Sequence, residues 1–250
     1  KYLKGGNPMS LVQLKKLIKE SSNIVFLGGA GVSTESNIPD FRSDKGIYSD
    51  KNTQFAPETI LSHSFFITNT ELFYSFYKNK MIYKDAKPNA AHYALAKLEK
   101  MGKLRAVITQ NIDGLHQAAG SINVLELHGS VHRNFCMDCG EFYNLDDVIN
   151  SQETIPYCKK CKGIIKPDVV LYEEPLNSDI LEKAVGYVSE SEILIVGGTS
   201  LLVYPAAGLV NYFRGKALVL INKSETPYDS HADYVIHDSI GKVLTELADF

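Results

Sequence analysis

Cysteine is scarce in this chain of 250 residues, which has only four. A disulfide-dense scaffold is thereby excluded, because a chain this long buries enough apolar surface to fold without such staples. No charge of one sign dominates: 26 Lys and Arg stand against 29 Asp and Glu, for a net charge of −3 and a pI of about 6.2. Without a strong basic field, nucleic acid is not the expected partner. Long apolar runs are missing as well. Residues 11–18 are interrupted by Gln13, Lys15 and Lys16 and do not read as a signal peptide. Residues 193–213 are interrupted by Gly197, Gly198, Pro205 and Asn211, and read as strand, loop and helix instead of a membrane span. A reducing, cytoplasmic setting with no membrane partner is the expectation. What remains, 44% apolar and 22% charged residues at a mean hydropathy of −0.11, is ordinary globular composition and long enough for an enzyme.

Residues 1–8 precede the first methionine, Met9, carry Gly5-Gly6 and read as vector-derived. Ser10-Leu11-Val12-Gln13 has the form of a capping box, and Leu11, Leu14, Leu17 and Ile18 recur at helical spacing, so an amphipathic helix is expected first. The apolar run 23–27 ends in Gly28-Gly29-Ala30-Gly31, a buried strand turning through a glycine loop. Further strands are expected at 104–109, 123–127, 168–172, 192–196, 217–221 and 234–237, with helices at 90–101, 179–187, 205–213 and 240–248. Such alternation argues for a parallel sheet covered on both faces. Between Pro39 and Tyr83 the pattern blurs, and ten of the 14 tyrosines and 11 phenylalanines collect there. A helical subdomain packing its own rings is the plainer reading, and a substrate groove lined with them is the alternative.

Cys136-Met137-Asp138-Cys139 and Cys158-Lys159-Lys160-Cys161 are separated by 18 residues, the spacing of a four-thiolate zinc site. Two such knuckles place four sulfurs about 2.3 Å from one ion and leave no position for water, so the site is expected to be structural. Two disulfides or four idle thiols are the alternatives, and with four cysteines present His132 is not needed as a ligand. Gly29-Ala30-Gly31-Val32-Ser33-Thr34 follows a strand, where N–H groups and a helix start can approach a pyrophosphate. Thr34 replaces the third glycine of the dinucleotide fingerprint and no acidic partner follows at the usual distance, so a plain glycine turn explains the loop equally well. Thr109-Gln110-Asn111-Ile112-Asp113-Gly114-Leu115-His116 ends a strand in amides and a carboxylate at the carboxyl edge of the sheet, where open α/β sheets bind ligands. His128-Gly129 closes the next strand and sets an imidazole there, suited to act as a base near neutral pH. His63, His92 and His231 have no such setting.

Taken together with Ile38-Pro39-Asp40-Phe41-Arg42, Lys166-Pro167-Asp168-Val169-Val170, Gly198-Thr199-Ser200 and Asn222, these motifs resemble those of the sirtuins, NAD-dependent protein deacylases, across residues 23–240. The resemblance implies an α/β fold: a Rossmann-like parallel-sheet domain (9–40, 88–130 and 166–250) with a smaller domain made of a helical insertion (41–87) and a zinc ribbon (131–165). NAD as co-substrate, structural Zn2+ and acetyl-lysine proteins or peptides as partners follow from it. In that family the acetyl oxygen attacks the nicotinamide ribose, nicotinamide leaves, and a base frees a ribose hydroxyl that captures the acyl group, giving free lysine and O-acetyl-ADP-ribose. Carried onto this chain, His128 is the base and Asn111 orients the ribose, while Ile112 and Asp113 hold the carboxamide and Phe41 covers the ring. Ala30, Thr34, Arg42, Gln110, Thr199, Ser200, Asn222 and Ile240 hold the rest of NAD. Val169, Val170, Tyr172 and Glu174 belong to the substrate strand, which takes a peptide by strand addition.

Three departures from the family pattern stand out. Glu173 replaces a usual glycine, Leu171 a frequent aromatic, and Asn37 stands where glycine is commoner, although asparagine tolerates positive φ. Members that remove acidic acyl groups carry Tyr-x-x-Arg in the helical part. Here Tyr74 is followed by Tyr77, which favours acetyl or other neutral acyl groups. A Rossmann dehydrogenase with an added zinc site leaves the missing glycine and acidic partner unexplained. A non-enzymatic zinc-ribbon reader of acyl-lysine predicts peptide binding indifferent to NAD.

Overall fold

Ile24-Val25-Phe26-Leu27-Gly28 is buried at every position, the mark of a strand covered on both sides. A computed structural model describes residues 9–41, 46–47 and 55–250, so the 1–8 segment lies outside the described residues, as do Arg42 and Tyr48. Its strands are β1 (Ile24–Gly28), β2 (Leu104–Thr109), β3 (Val124–Glu126), β4 (Gly129–Cys136), β5 (Phe142–Tyr143), β6 (Ile165–Val169), β7 (Ile193–Gly197), β8 (Ala217–Ile221) and β9 (Tyr234–Ile236). Its helices are α1 (Met9–Glu20), α2 (Pro57–Ile60), α3 (His63–Thr68), α4 (Thr70–Lys80), α5 (Ala90–Lys100), α6 (Leu115–Ala118), α7 (Leu145–Ile149), α8 (Ser178–Glu190) and α9 (Ile240–Leu247).

Six strands pair in parallel in the order β3-β2-β1-β7-β8-β9. This is the Rossmann-like order, in which the winding reverses between β1 and β7 and opens a crevice at their carboxyl ends. Ile24 and Phe26 face a layer containing Leu14, Ile18, Leu95, Leu98, Leu244 and Leu247 from α1, α5 and α9. Val25 and Leu27 face the opposite layer, with Ala184 and Val188 of α8 and the 3-10 segment Ala206–Tyr212. The second, antiparallel sheet, β5-β4-β6, packs with α2 to α4 and α7 around Phe66, Phe73, Tyr74 and Tyr77. The crowded rings are therefore a core, stacked or edge-on to one another, as the plainer reading of that region expects.

Several expectations need correction. Ser10 lies inside α1 and not at its cap. The strand expected at 168–172 is β6, three residues earlier, and it belongs to the small antiparallel sheet; its alternating burial at Ile165, Pro167 and Val169 is that of a two-faced strand. The segment expected as a helix at 205–213 winds as a 3-10 helix.

Gly129 has φ 75°, and a β-carbon there would collide with the carbonyl of Asp168, so only glycine lets β4 approach β6 at this point. Arg133 then bridges Glu126 at 2.6 Å and Asp168 at 2.7 Å, tying the end of β3 to the small sheet. Within the small core the Tyr74 hydroxyl donates to the Ile165 carbonyl, and burial raises the pKa of both Tyr74 and Tyr77. Tyr74→Phe is expected to cost about 1 kcal/mol by leaving that carbonyl unpaired, read as a melting temperature lower by roughly 2–4 °C. An unchanged melting temperature would show that the bond contributes nothing.

Candidate active site

Two backbone turns touch at the switch point of the sheet. After β1 the chain enters a 3-10 turn, Ala30–Val32, and after β7 it turns at Gly198 with φ 61°. The Gly31 N–H donates to the Gly198 carbonyl at 2.8 Å. A β-carbon on Gly31 would stand 2.8 Å from that main chain, so the glycine is required by the contact itself. A second 3-10 turn, Thr34–Ser36, ends at Asn37 with φ 62°, the left-handed conformation allowed for at the sequence level. Of the two readings left open for the loop, a helix start and a plain glycine turn, the chain takes the turn: no α-helix begins at the glycines. Thr34 Oγ1 donates back to the Gly31 carbonyl at 2.9 Å, and with no helix packing here a third glycine has no role.

β2 hands the chain to a set of polar groups. The Asn111 Nδ2 donates to Ser33 Oγ at 3.0 Å, and Ser33 Oγ donates to Asp113 Oδ2 at 2.6 Å. Asp113 Oδ1 accepts the Leu115 N–H at 2.9 Å, which anchors the carboxylate to the start of α6. Ser33 is 1% exposed and Asn111 9%, so this chain of bonds is shielded from water and holds Asn111 in one orientation. Sequence reasoning did not single out Ser33; the available signal was a hydroxyl one turn beyond a buried strand. On the other side Gln110 Nε2 donates to Thr199 Oγ1 at 3.1 Å, and the Thr199 N–H donates to Asn222 Oδ1 at 2.9 Å. Asn222 Nδ2 is buried with no partner among the described residues, a donor suited to a ligand oxygen.

His128 sits between β3 and β4, with Nδ1 3.0 Å from the Gln110 carbonyl. A carbonyl only accepts, so Nδ1 carries the proton and Nε2 of the neutral ring keeps its lone pair. Burial lowers the pKa from 6.5 against the smaller opposing effect of the Gln110 bond, which leaves the ring neutral at pH 7. The His128 carbonyl accepts the Val170 N–H at 3.0 Å, tying the imidazole to the segment that follows β6. There Tyr172 pairs with the small lobe, donating to the Leu61 carbonyl at 2.9 Å and accepting the His63 N–H at 3.0 Å. The Glu174 carboxylate accepts the Leu171 N–H and meets Lys166 and His63 at 3.1 and 2.8 Å. Glu173 takes φ 76° where the resembled pattern has glycine, and its carboxylate accepts the N–H and hydroxyl of Ser64 at the start of α3, which offsets the strain.

One cleft of about 1130 Å³ gathers Ala30, Thr34, Phe41, Gln110, Asn111, Ile112, Asp113, His128, Thr199, Ser200, Asn222 and Ile240 with Val169, Val170, Tyr172 and Glu174. Arg42 falls outside the described residues. His132, Leu202 and Tyr204 also line the cleft without having been singled out for it. Tyr74 and Tyr77 are absent from its walls because both rings face the small core; among the described residues the lysines of the cleft are Lys80, Lys84 and Lys223. His116, last of its motif, faces inward too. It packs 4.7 Å from His92, and burial, helped by His92, lowers its pKa to about 3.

The Sγ atoms of Cys136, Cys139, Cys158 and Cys161 all lie within 4.8 Å of one another, at 3.3 Å for Cys136–Cys161 and 3.7 Å for Cys139–Cys158. A disulfide would need about 2.05 Å. A tetrahedron with arms of about 2.3 Å separates its corners by about 3.8 Å, so the four thiols fit zinc. Hydrogen bonding from the Tyr143 hydroxyl, 3.2 Å away, is the largest cause that brings the Cys158 thiol down to about 6, toward the thiolate a metal takes. His132 is turned elsewhere, with Nε2 3.0 Å from the Asp113 carbonyl.

Residues 29–205 match the Sir2 family model. An NAD-dependent protein deacetylase of Clostridium acetobutylicum is 66% identical over 93% of this chain and 95% of its own length, and one of Clostridium tetani is 67% identical over 92% and 94%. A solved Sir2 complex with a deacetylated p53 peptide and 3'-O-acetyl ADP ribose superposes with a TM-score of 0.88, at 40% identity, over 95% of this chain and 96% of that one.

Proposed function

The chain belongs to the Sir2 family, and on that footing we propose that it is an NAD-dependent protein lysine deacetylase, moving the acetyl group of acetyl-lysine to ADP-ribose with release of nicotinamide and O-acetyl-ADP-ribose. One observation carries the reading: a neutral imidazole, the Asn111–Ser33–Asp113 chain and the segment after β6 all face a single cleft. The unpaired Asn222 Nδ2 and the bare main chain at Gly31 and Gly198 fit a dinucleotide. When bound, NAD supplies the electrophilic ribose carbon and the hydroxyl that accepts the acyl group.

In this reading the unit 9–40, 88–130 and 166–250 holds NAD, and 41–87 with 131–165 closes over the substrate. His128 Nε2 takes the proton of a ribose hydroxyl. Asn111, held by Ser33, orients that ribose. Ile112 and Asp113 bind the carboxamide, and Phe41 shields the ring from water. Ala30, Thr34, Gln110, Thr199, Ser200, Asn222 and Ile240, with Arg42 by resemblance, hold the remainder. The peptide lies along Val169, Val170, Tyr172 and Glu174, and the four cysteines hold structural zinc, with no position left for a substrate. Four cysteines grouped to take a metal, and not paired as disulfides, suit the cytoplasm as its compartment.

Incubation with an acetyl-lysine peptide and NAD tests the reading. Nicotinamide release that depends on the peptide, with O-acetyl-ADP-ribose found by mass spectrometry, is the expected result. Release without peptide, or NADH absorbance with a small alcohol or acid, would overturn it.

A further inference from the structure

The loop 222–233 joins β8 to β9, and its first half, from Asn222 to Thr226, lines one side of the cleft. An imidazole that does not line the cleft holds this wall from behind. His237 Nδ1 donates to the Asn222 carbonyl at 3.0 Å, and Nε2 stands 3.4 Å from Asp229 Oδ2. The other Asp229 oxygen accepts the N–H and hydroxyl of Thr226 at 3.0 and 2.6 Å. With Nδ1 alone protonated the ring holds the Asn222 carbonyl, and with both nitrogens protonated it also joins the turn at Asp229 to the end of β9. The two side chains are only 23% and 14% exposed, so water competes weakly for these contacts.

Asn222 has two other anchors. Its N–H donates to the Ile236 carbonyl at 3.1 Å, and its Oδ1 accepts the Thr199 N–H. What remains is the buried, unpaired Nδ2. His237 holds the main chain that carries this side chain, and the Thr199 bond orients the amide on it.

We propose that His237 is a positioning residue for NAD: with Asp229 it fixes the 222–229 wall so that Asn222 and Thr226 are set for the dinucleotide before it arrives. The inference rests on the reading that Asn222 belongs to the NAD site. Preorganisation of this kind raises affinity by sparing the ligand the cost of ordering a loop.

The test measures ADP-ribose binding by calorimetry, steady-state kinetics and melting temperature for Asn222→Ala, His237→Ala, His237→Asn and His237→Gln. Asparagine sets an amide nitrogen near the place of Nδ1 and keeps the carbonyl bond; glutamine reaches toward Asp229 and loses it. His237→Ala is expected to weaken ADP-ribose binding and raise the KM for NAD by about tenfold, equivalent to about 1.4 kcal/mol, with much smaller changes in kcat and in the KM for peptide. His237→Asn should recover most of the loss and His237→Gln little of it. Normal ADP-ribose binding by His237→Ala beside weakened binding by Asn222→Ala overturns the inference alone. Normal binding by both overturns the reading of Asn222 and the inference with it. A parallel loss of kcat, peptide KM and melting temperature in His237→Ala would show a purely structural role and overturn the proposal.

Discussion

Turnover by His128→Ala is expected to fall by ~10² to 10⁴-fold while ADP-ribose still binds, since the change removes a proton acceptor and leaves the main-chain floor of the cleft in place. The tautomer decides this role. The Gln110 carbonyl obliges Nδ1 to hold the proton, so Nε2 is the only ring atom able to take another. Protonation of Nε2 abolishes the base, and burial lowers the pKa at which that happens. As pH falls, the loss therefore begins later than for a free imidazole, and the acid limb of kcat/KM is expected below pH 6.5. Steady-state rates across pH check both statements. An alanine variant with undiminished turnover, or an acid limb lying above 6.5, would contradict the assigned role.

The second large effect comes from the metal. Structural zinc contributes about 10–16 kcal/mol in small zinc-finger peptides, comparable with or above the entire stability of a typical domain at about 5–15 kcal/mol. Stripping zinc, or replacing Cys158 by serine, is expected to unfold β4 to β6 and their surroundings. Turnover should vanish although no cysteine lines the cleft, because Val131 at the start of β4 donates to the Ile112 carbonyl at 3.0 Å and Tyr172 pairs with the small lobe. Zinc content, near-ultraviolet circular dichroism and turnover measured on the same sample decide the matter. Full activity in zinc-free protein would rule out the structural role.

Where burial repeats along the chain, sequence and structure agree closely. β2 and β8 occupy 104–109 and 217–221 as expected, since strands covered on both faces read as apolar runs, interrupted in β2 by the exposed Arg105 and closed by Thr109. The cysteines were legible because tetrahedral coordination constrains spacing. The glycine loop was legible only in part: single 3-10 turns have no hydrophobic period, so nothing in 29–36 distinguishes them from a helix start. The strand was expected three residues too late because Val169-Val170-Leu171 is the most apolar stretch of the expected segment, yet Val170 to Glu174, beyond β6, pairs with His128 and the 61–64 segment instead of a ladder. Tyr74 and Tyr77 share one face of α4, but spacing alone does not say whether that face meets the cleft or the core.

Because Gly31 and Gly198 meet main chain to main chain, the floor of the crevice is peptide bond, a surface almost blind to which amino acids its neighbours become. The outer rim is the reverse: Leu202 and Tyr204 are 55% and 67% exposed and can be exchanged one at a time. A substitution at the floor therefore has to move backbone, whereas one at the rim exchanges a single side chain and leaves the crevice beneath it standing.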